Sequence, residues 1–116
     1  MSNARNIADA GHQLVAWIKF DGTASIPSSG TNTIGILGSF NVSSIIEPTW
    51  GKHTVTINNS PNNTNYCVVT SCSAGGGNTD SAAFVTGNNT FDIYTYTSDS
   101  GNLNGSFSQI SAVAYD

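Results

Sequence analysis

Residues Phe91 to Tyr115 read FDIYTYTSDSGNLNGSFSQISAVAY. Phe91, Ile93 and Thr95 alternate with Asp92, Tyr94 and Tyr96, the period of two expected of a strand with one face turned inward. A polar stretch containing Gly101 and Gly105 follows, and the chain closes on Ile110, Ala112 or Val113, and Tyr115. Two such strands around a Gly-containing loop are expected to pair antiparallel at the centre of a sheet. The same short alternating form recurs in Leu14–Phe20 and His53–Ile57. The expected fold class is therefore all-β.

Working outward, Gln13 to Phe20 is the first strand. Leu14, Ala16, Ile18 and Phe20 fall on one face, and Val15, Trp17 and Lys19 on the other. Both faces are largely apolar, so Val15 and Trp17 are candidates for a subunit interface. Asp21-Gly22 is a turn signal. Thr33 to Ile46 holds two strand candidates whose phase changes near Ser43-Ser44, as at a bulge. Pro48 to Lys52 is a turn, and His53 to Ile57 a short strand with Val55 and Ile57 opposite Thr54 and Thr56. Further strands are expected at Tyr66 to Ser71 and Ala82 to Thr86, set off by a polar loop (Asn58 to Asn65) and a Gly-rich one (Ser73 to Ser81). Gly87-Asn88-Asn89 then turns the chain into Phe91 to Thr97. The pattern describes a small antiparallel β-sandwich of about seven or eight short strands. Residues 13–116 form one domain, and residues 1–12 an N-terminal arm or linker.

Composition agrees with that class. The 116 residues carry three Lys or Arg against seven Asp or Glu, for a net charge of -4. Ser, Thr and Asn take the place of the charged helix formers, which favours strands and hydrogen-bonded turns. Without a basic patch to neutralise phosphates, nucleic acid is excluded as an expected partner. No apolar run is long enough to span a membrane, and the first residues lack the pattern of a signal peptide.

Candidate chemistry is sparse. His12, His53, Cys67 and Cys72 have no metal-ligand spacing, and no metal or other cofactor is expected. Cys67 and Cys72, five residues apart, point to opposite faces of a regular strand, so two free thiols are expected rather than a disulfide. There is no nucleophile elbow and no recognisable carboxylate pair, and Gly75-Gly76-Gly77 lacks the Lys and helix of a phosphate loop. No catalytic residue is named, and the chain is not expected to be an enzyme. Five N-x-S/T sequons, at Asn41, Asn58, Asn62, Asn88 and Asn104, follow from the Asn, Ser and Thr content.

Aromatic residues are the better lead. Trp50 sits in a turn bounded by Pro48 and Gly51, where an indole is costly unless it packs or binds. Tyr94 and Tyr96 share the strand face opposite Phe91 and Ile93. Rings flanked by Asn, Asp and Ser can stack on sugar faces or build a subunit contact. Trp50, His53, Tyr94 and Tyr96 are the candidate receptor-binding residues; Tyr94 and Tyr96 join Val15 and Trp17 as candidates for the interface.

Several stretches resemble the C-terminal module of bacteriophage tail fibre proteins. Ala16-Trp17-Ile18-Lys19-Phe20-Asp21-Gly22-Thr23 is similar to that family's opening strand and turn. Ser39-Phe40-Asn41-Val42-Ser43-Ser44-Ile45 is similar to its next strand, and Gly51 with Thr54-Val55-Thr56-Ile57 to the one after. Asn65-Tyr66 with Val68-Val69, then Phe91, Ile93, Thr95 and Tyr96, then Ser111-Ala112-Val113 continue the order. Lys19, Asp21, Trp50 and His53 depart from the family pattern. The resemblance implies a homotrimeric module at the distal end of a fibre, joined to an upstream fibre or other virion proteins. It implies contact with a bacterial surface glycan or outer-membrane receptor, without catalysis. The expected location is the virion, after assembly in the host cytoplasm. The competing expectation is a structural virion protein (a head fibre, capsid decoration or trimerising tail-tip cap) with no receptor of its own.

Overall fold

The computed structural model describes residues 13–73, 79–97 and 101–116. The expected arm at residues 1–12 and the glycine run at 75–77 lie outside them. Eight strands form two four-stranded sheets, and no helix occurs among the described residues. In chain order they are β1 (Leu14–Phe20), β2 (Ile36–Phe40), β3 (Val42–Thr49), β4 (Lys52–Ile57), β5 (Cys67–Ser73), β6 (Thr79–Val85), β7 (Thr90–Thr97) and β8 (Gln109–Tyr115). One sheet has the order β2-β1-β8-β5 and the other β3-β4-β7-β6, with every pair antiparallel.

The last two strands do not pair with each other. β7 is central in one sheet and β8 central in the other. Phe91 and Ile93 on β7 and Ile110, Ala112 and Ala114 on β8 all belong to the one buried core. Two strands that each carry an apolar face bury more by packing face to face than by lying side by side. Ala16, Ile18 and Phe20 of β1, Ile45 of β3, and Val55 and Ile57 of β4 complete the layer.

β1 also departs from simple alternation. Its register against β8 shifts between Leu14 and Ala16. The bulge turns Leu14 outward and leaves Val15 buried beside Ala16. Val15 is therefore not available as the interface residue that alternation implied. Trp17 keeps its outward place.

A single residue carries the chain from one sheet to the other. Asn41, between β2 and β3, has φ 59, a left-handed conformation that Asn tolerates better than most residues. Its amide donates to the carbonyls of Val15 (2.9 Å) and Asn59 (3.0 Å), and its side-chain oxygen accepts from the Asn59 N–H. At the other end of the sandwich, Gly22 donates to the Phe107 carbonyl at 2.9 Å. A Cβ there would stand 2.6 Å from that oxygen, so only glycine permits the approach.

Candidate functional site

The outward face of β4, β7 and β6 gathers most of the aromatic and charged side chains of its sheet. Phe91, Ile93 and Thr95 turn inward, which leaves Asp92, Tyr94 and Tyr96 facing out. Lys52 lies opposite Tyr94, and Tyr94 opposite Ala82. One step along, Thr54, Asp92 and Phe84 form the next row.

The tyrosine rings lie nearly parallel, 12° apart, with centroids 6.3 Å from each other. Phe84 meets Tyr94 edge-on at 5.3 Å, the geometry favoured by ring quadrupoles. Ala82 is too small to cover the Tyr94 ring from the neighbouring strand. The Lys52 ammonium stands 5.8 Å from the Tyr94 centroid and 3.7 Å from the Asp92 carboxylate. Thr54 donates to the other Asp92 oxygen at 2.7 Å. Asp92 thus holds the lysine near the ring. The product is an aromatic cluster with a cation and hydroxyls at its border, open on the sheet surface rather than enclosing a ligand.

The expected residues separate. Tyr94 and Tyr96 come together on this surface. Trp50 is exposed at the β3–β4 turn, its six-membered ring against Gly105, where an added Cβ would lie 3.0 Å from Cε3. His53 does not reach the surface. It is fully buried in phase with Val55 and Ile57, with its ring 4.9 Å from that of Phe20, and cannot touch a receptor. Its position two residues before Val55 already placed it on the inner face. Trp17 lies on the far sheet, away from the tyrosines.

Lys52, Phe84 and Asp92 were not singled out from the sequence. The pairing of three strands makes them neighbours, and no local spacing announces it.

His53 has an electrostatic environment of its own. Among the described residues neither ring nitrogen has a hydrogen-bond partner, and Nε2 stands 3.3 Å from a Glu47 carboxylate oxygen. The carboxylate would favour the imidazolium, but burial wins and lowers the His53 pKa to about 4. Burial also raises the Glu47 pKa, opposed by the hydrogen bond it accepts from the Gly51 N–H at 3.1 Å. Below Trp50, therefore, an uncharged imidazole rests against a carboxyl group that anchors the turn.

An open cleft of about 590 Å³ lies elsewhere, lined by Leu14, Phe40, Asn41, Asn58, Asn59 and Pro61 among others. The Asn41 side chain there is committed to holding backbone together. Cys67 is exposed and Cys72 half-buried, both free, on opposite faces of β5. Burial raises the Cys72 pKa, with bonds to Ser81 and Thr79 acting against it. Among the described residues, no group of three or more His, Cys, Asp or Glu could hold a metal ion. Comparison with protein-family models, with curated proteins and with solved structures finds no match to this chain.

Proposed function

We propose that the chain is a non-enzymatic recognition module of a bacteriophage fibre, assembled from several copies, three by the sequence resemblance. It contacts glycan on the host bacterial surface through the outward face of β4, β7 and β6. One observation carries the reading: the stacked Tyr94–Tyr96 pair, backed by Phe84 and bordered by Lys52 and Asp92. Rings of this kind cover the apolar face of a sugar, while the lysine and hydroxyls take its oxygens. An open site gives weak single contacts, which many copies on one particle turn into firm attachment.

The test is saturable binding of the assembled protein to an array of bacterial surface polysaccharides. Tyr94→Ala and Tyr96→Ala should each weaken binding by about tenfold, the scale of one lost stacking contact. Far-UV spectra should be unchanged, because both rings lie outside the core. No binding to any polysaccharide, or binding indifferent to both substitutions, overturns the glycan reading.

A second reading is favoured by the opposite side of the molecule. Phe40, Trp17, Val113 and Val69 form a solvent-facing row across β2-β1-β8-β5. A structural virion protein, such as a head fibre or capsid decoration, would use that face for assembly and carry no ligand on the other. It would hold its oligomeric mass yet bind no polysaccharide.

A further inference from the structure

The outward face of the β2-β1-β8-β5 sheet is more apolar than any other described face. Register places Phe40 opposite Trp17, Trp17 opposite Val113, and Val113 opposite Val69, so one row crosses all four strands. Leu14 and Tyr115 form a second row beside it. Exposure of these six residues runs from 37% for Trp17 to 57% for Val69. Together they leave on the order of 500 Å² of apolar side chain in solvent, near the upper end for the largest patch on a monomer.

Two further features mark the face as one built for covering. Gly38 lies under the Trp17 ring, and a Cβ there would stand 3.2 Å from Cη2. The indole is thereby laid flat along the sheet instead of standing out from it. Lys19 is the only charged residue in all four strands. The other sheet carries Glu47, Lys52, Asp80 and Asp92 in its strands. Depletion of charge in an apolar, aromatic centre is the compositional mark of a subunit interface. Ser71 and Ser111, bonded to each other at 2.9 Å, lie one step out with Lys19 as a polar rim.

We infer that this face is covered by another copy of the same chain. An interface between stable partners takes about 800 Å² from each. An apolar centre of about 500 Å² with a polar rim approaches that, whereas a short peptide would leave much of a four-strand width wet. A nearly uncharged face can also meet its own copy without repulsion, although the chain as a whole carries a net charge of -4. A flattened indole lets a neighbouring copy approach the sheet closely, and an upright one would hold it off. The copies meet on this sheet, and the tyrosine surface of the other sheet remains open.

The experiment is light scattering on the full chain and on Val113→Lys and Val69→Lys, with Trp17 emission read in a Trp50→Phe background. The unsubstituted chain should have a mass of two or three times 12.0 kDa, that is, about 24 or 36 kDa. Each lysine variant should dissociate on the order of 100-fold more readily, with an unchanged far-UV spectrum, and Trp17 emission should shift to the red. An oligomer that survives both lysines places the interface elsewhere and overturns the inference. So does a 12.0 kDa monomer at every concentration. In such a monomer, shielded Trp17 emission would give the face to residues 1–12 of the same chain, and wet emission to a foreign partner.

Discussion

His53 is where burial and titration meet most directly. Its imidazole is held neutral in the fold down to about 4, against 6.5 in the open chain. Between those values the unfolded chain binds a proton that the folded chain refuses. Stability is therefore present above 6.5 and falls as pH drops toward 4. The full span corresponds to about 3 kcal/mol. Glu47 works in the other direction just above 4.5, because its raised pKa lets the folded state bind a proton more readily. Urea midpoints should thus fall between about pH 7 and pH 5. In His53→Phe, which keeps a ring against Phe20 and removes the titration, they should stay level. A midpoint in the unsubstituted chain that does not move over that range would mean the imidazole is solvated. The sequence contained the burial of His53 in the alternation of His53, Val55 and Ile57. Its polarity masked the period and made it look like a surface residue. Val15 misled in the opposite way, since a bulge next to an apolar pair leaves no trace in the pattern.

At the scale of elements, the joint between β2 and β3 decides how the sheets separate. Asn41 combines a left-handed backbone with side-chain bonds to two other segments. These contributions can be split by substitution. Asn41→Gly keeps the backbone conformation and loses the bonds, at about 1 kcal/mol for each one net. Asn41→Ala loses both and should cost about 1–2 kcal/mol more. Urea unfolding of the two variants measures the difference, and equal losses would show that the backbone there is unstrained. The strands themselves were legible, because alternation persists through much of each despite the register shifts in β1 and β3. Their assignment to sheets was not. β7 and β8 are adjacent in sequence and alike in pattern, yet they sit in opposite layers. Period-two reading identifies an inward face without saying which sheet supplies it. The aromatic surface was hidden for the same reason. Tyr94 and Tyr96 follow from one strand's phase, whereas Lys52 and Phe84 join them only through cross-strand register.

At the scale of the whole molecule, the two outward faces carry different chemistry and their effects should separate. Val113 and Tyr94 belong to different sheets with the core between them, so substitutions at the two have no shared partner and should not couple through contacts. They remain linked through copy number. If self-assembly uses the face around Val113 and adhesion the face around Tyr94, Val113→Lys leaves each glycan site intact but makes it monovalent. Adhesion to cells should then fall by ~10²–10⁴, the usual span of lost avidity. Tyr94→Ala should lower adhesion while the mass of the assembly stays unchanged. Displaying each variant densely on beads distinguishes the causes, because the bead restores multivalency without restoring a contact. Adhesion of bead-bound Val113→Lys should return to that of the unsubstituted chain, and bead-bound Tyr94→Ala should remain weak. Rescue of both would show that the tyrosine surface takes no part in recognition. Rescue of neither would show that the Val113 face touches the ligand itself, so that one face would have to serve both roles.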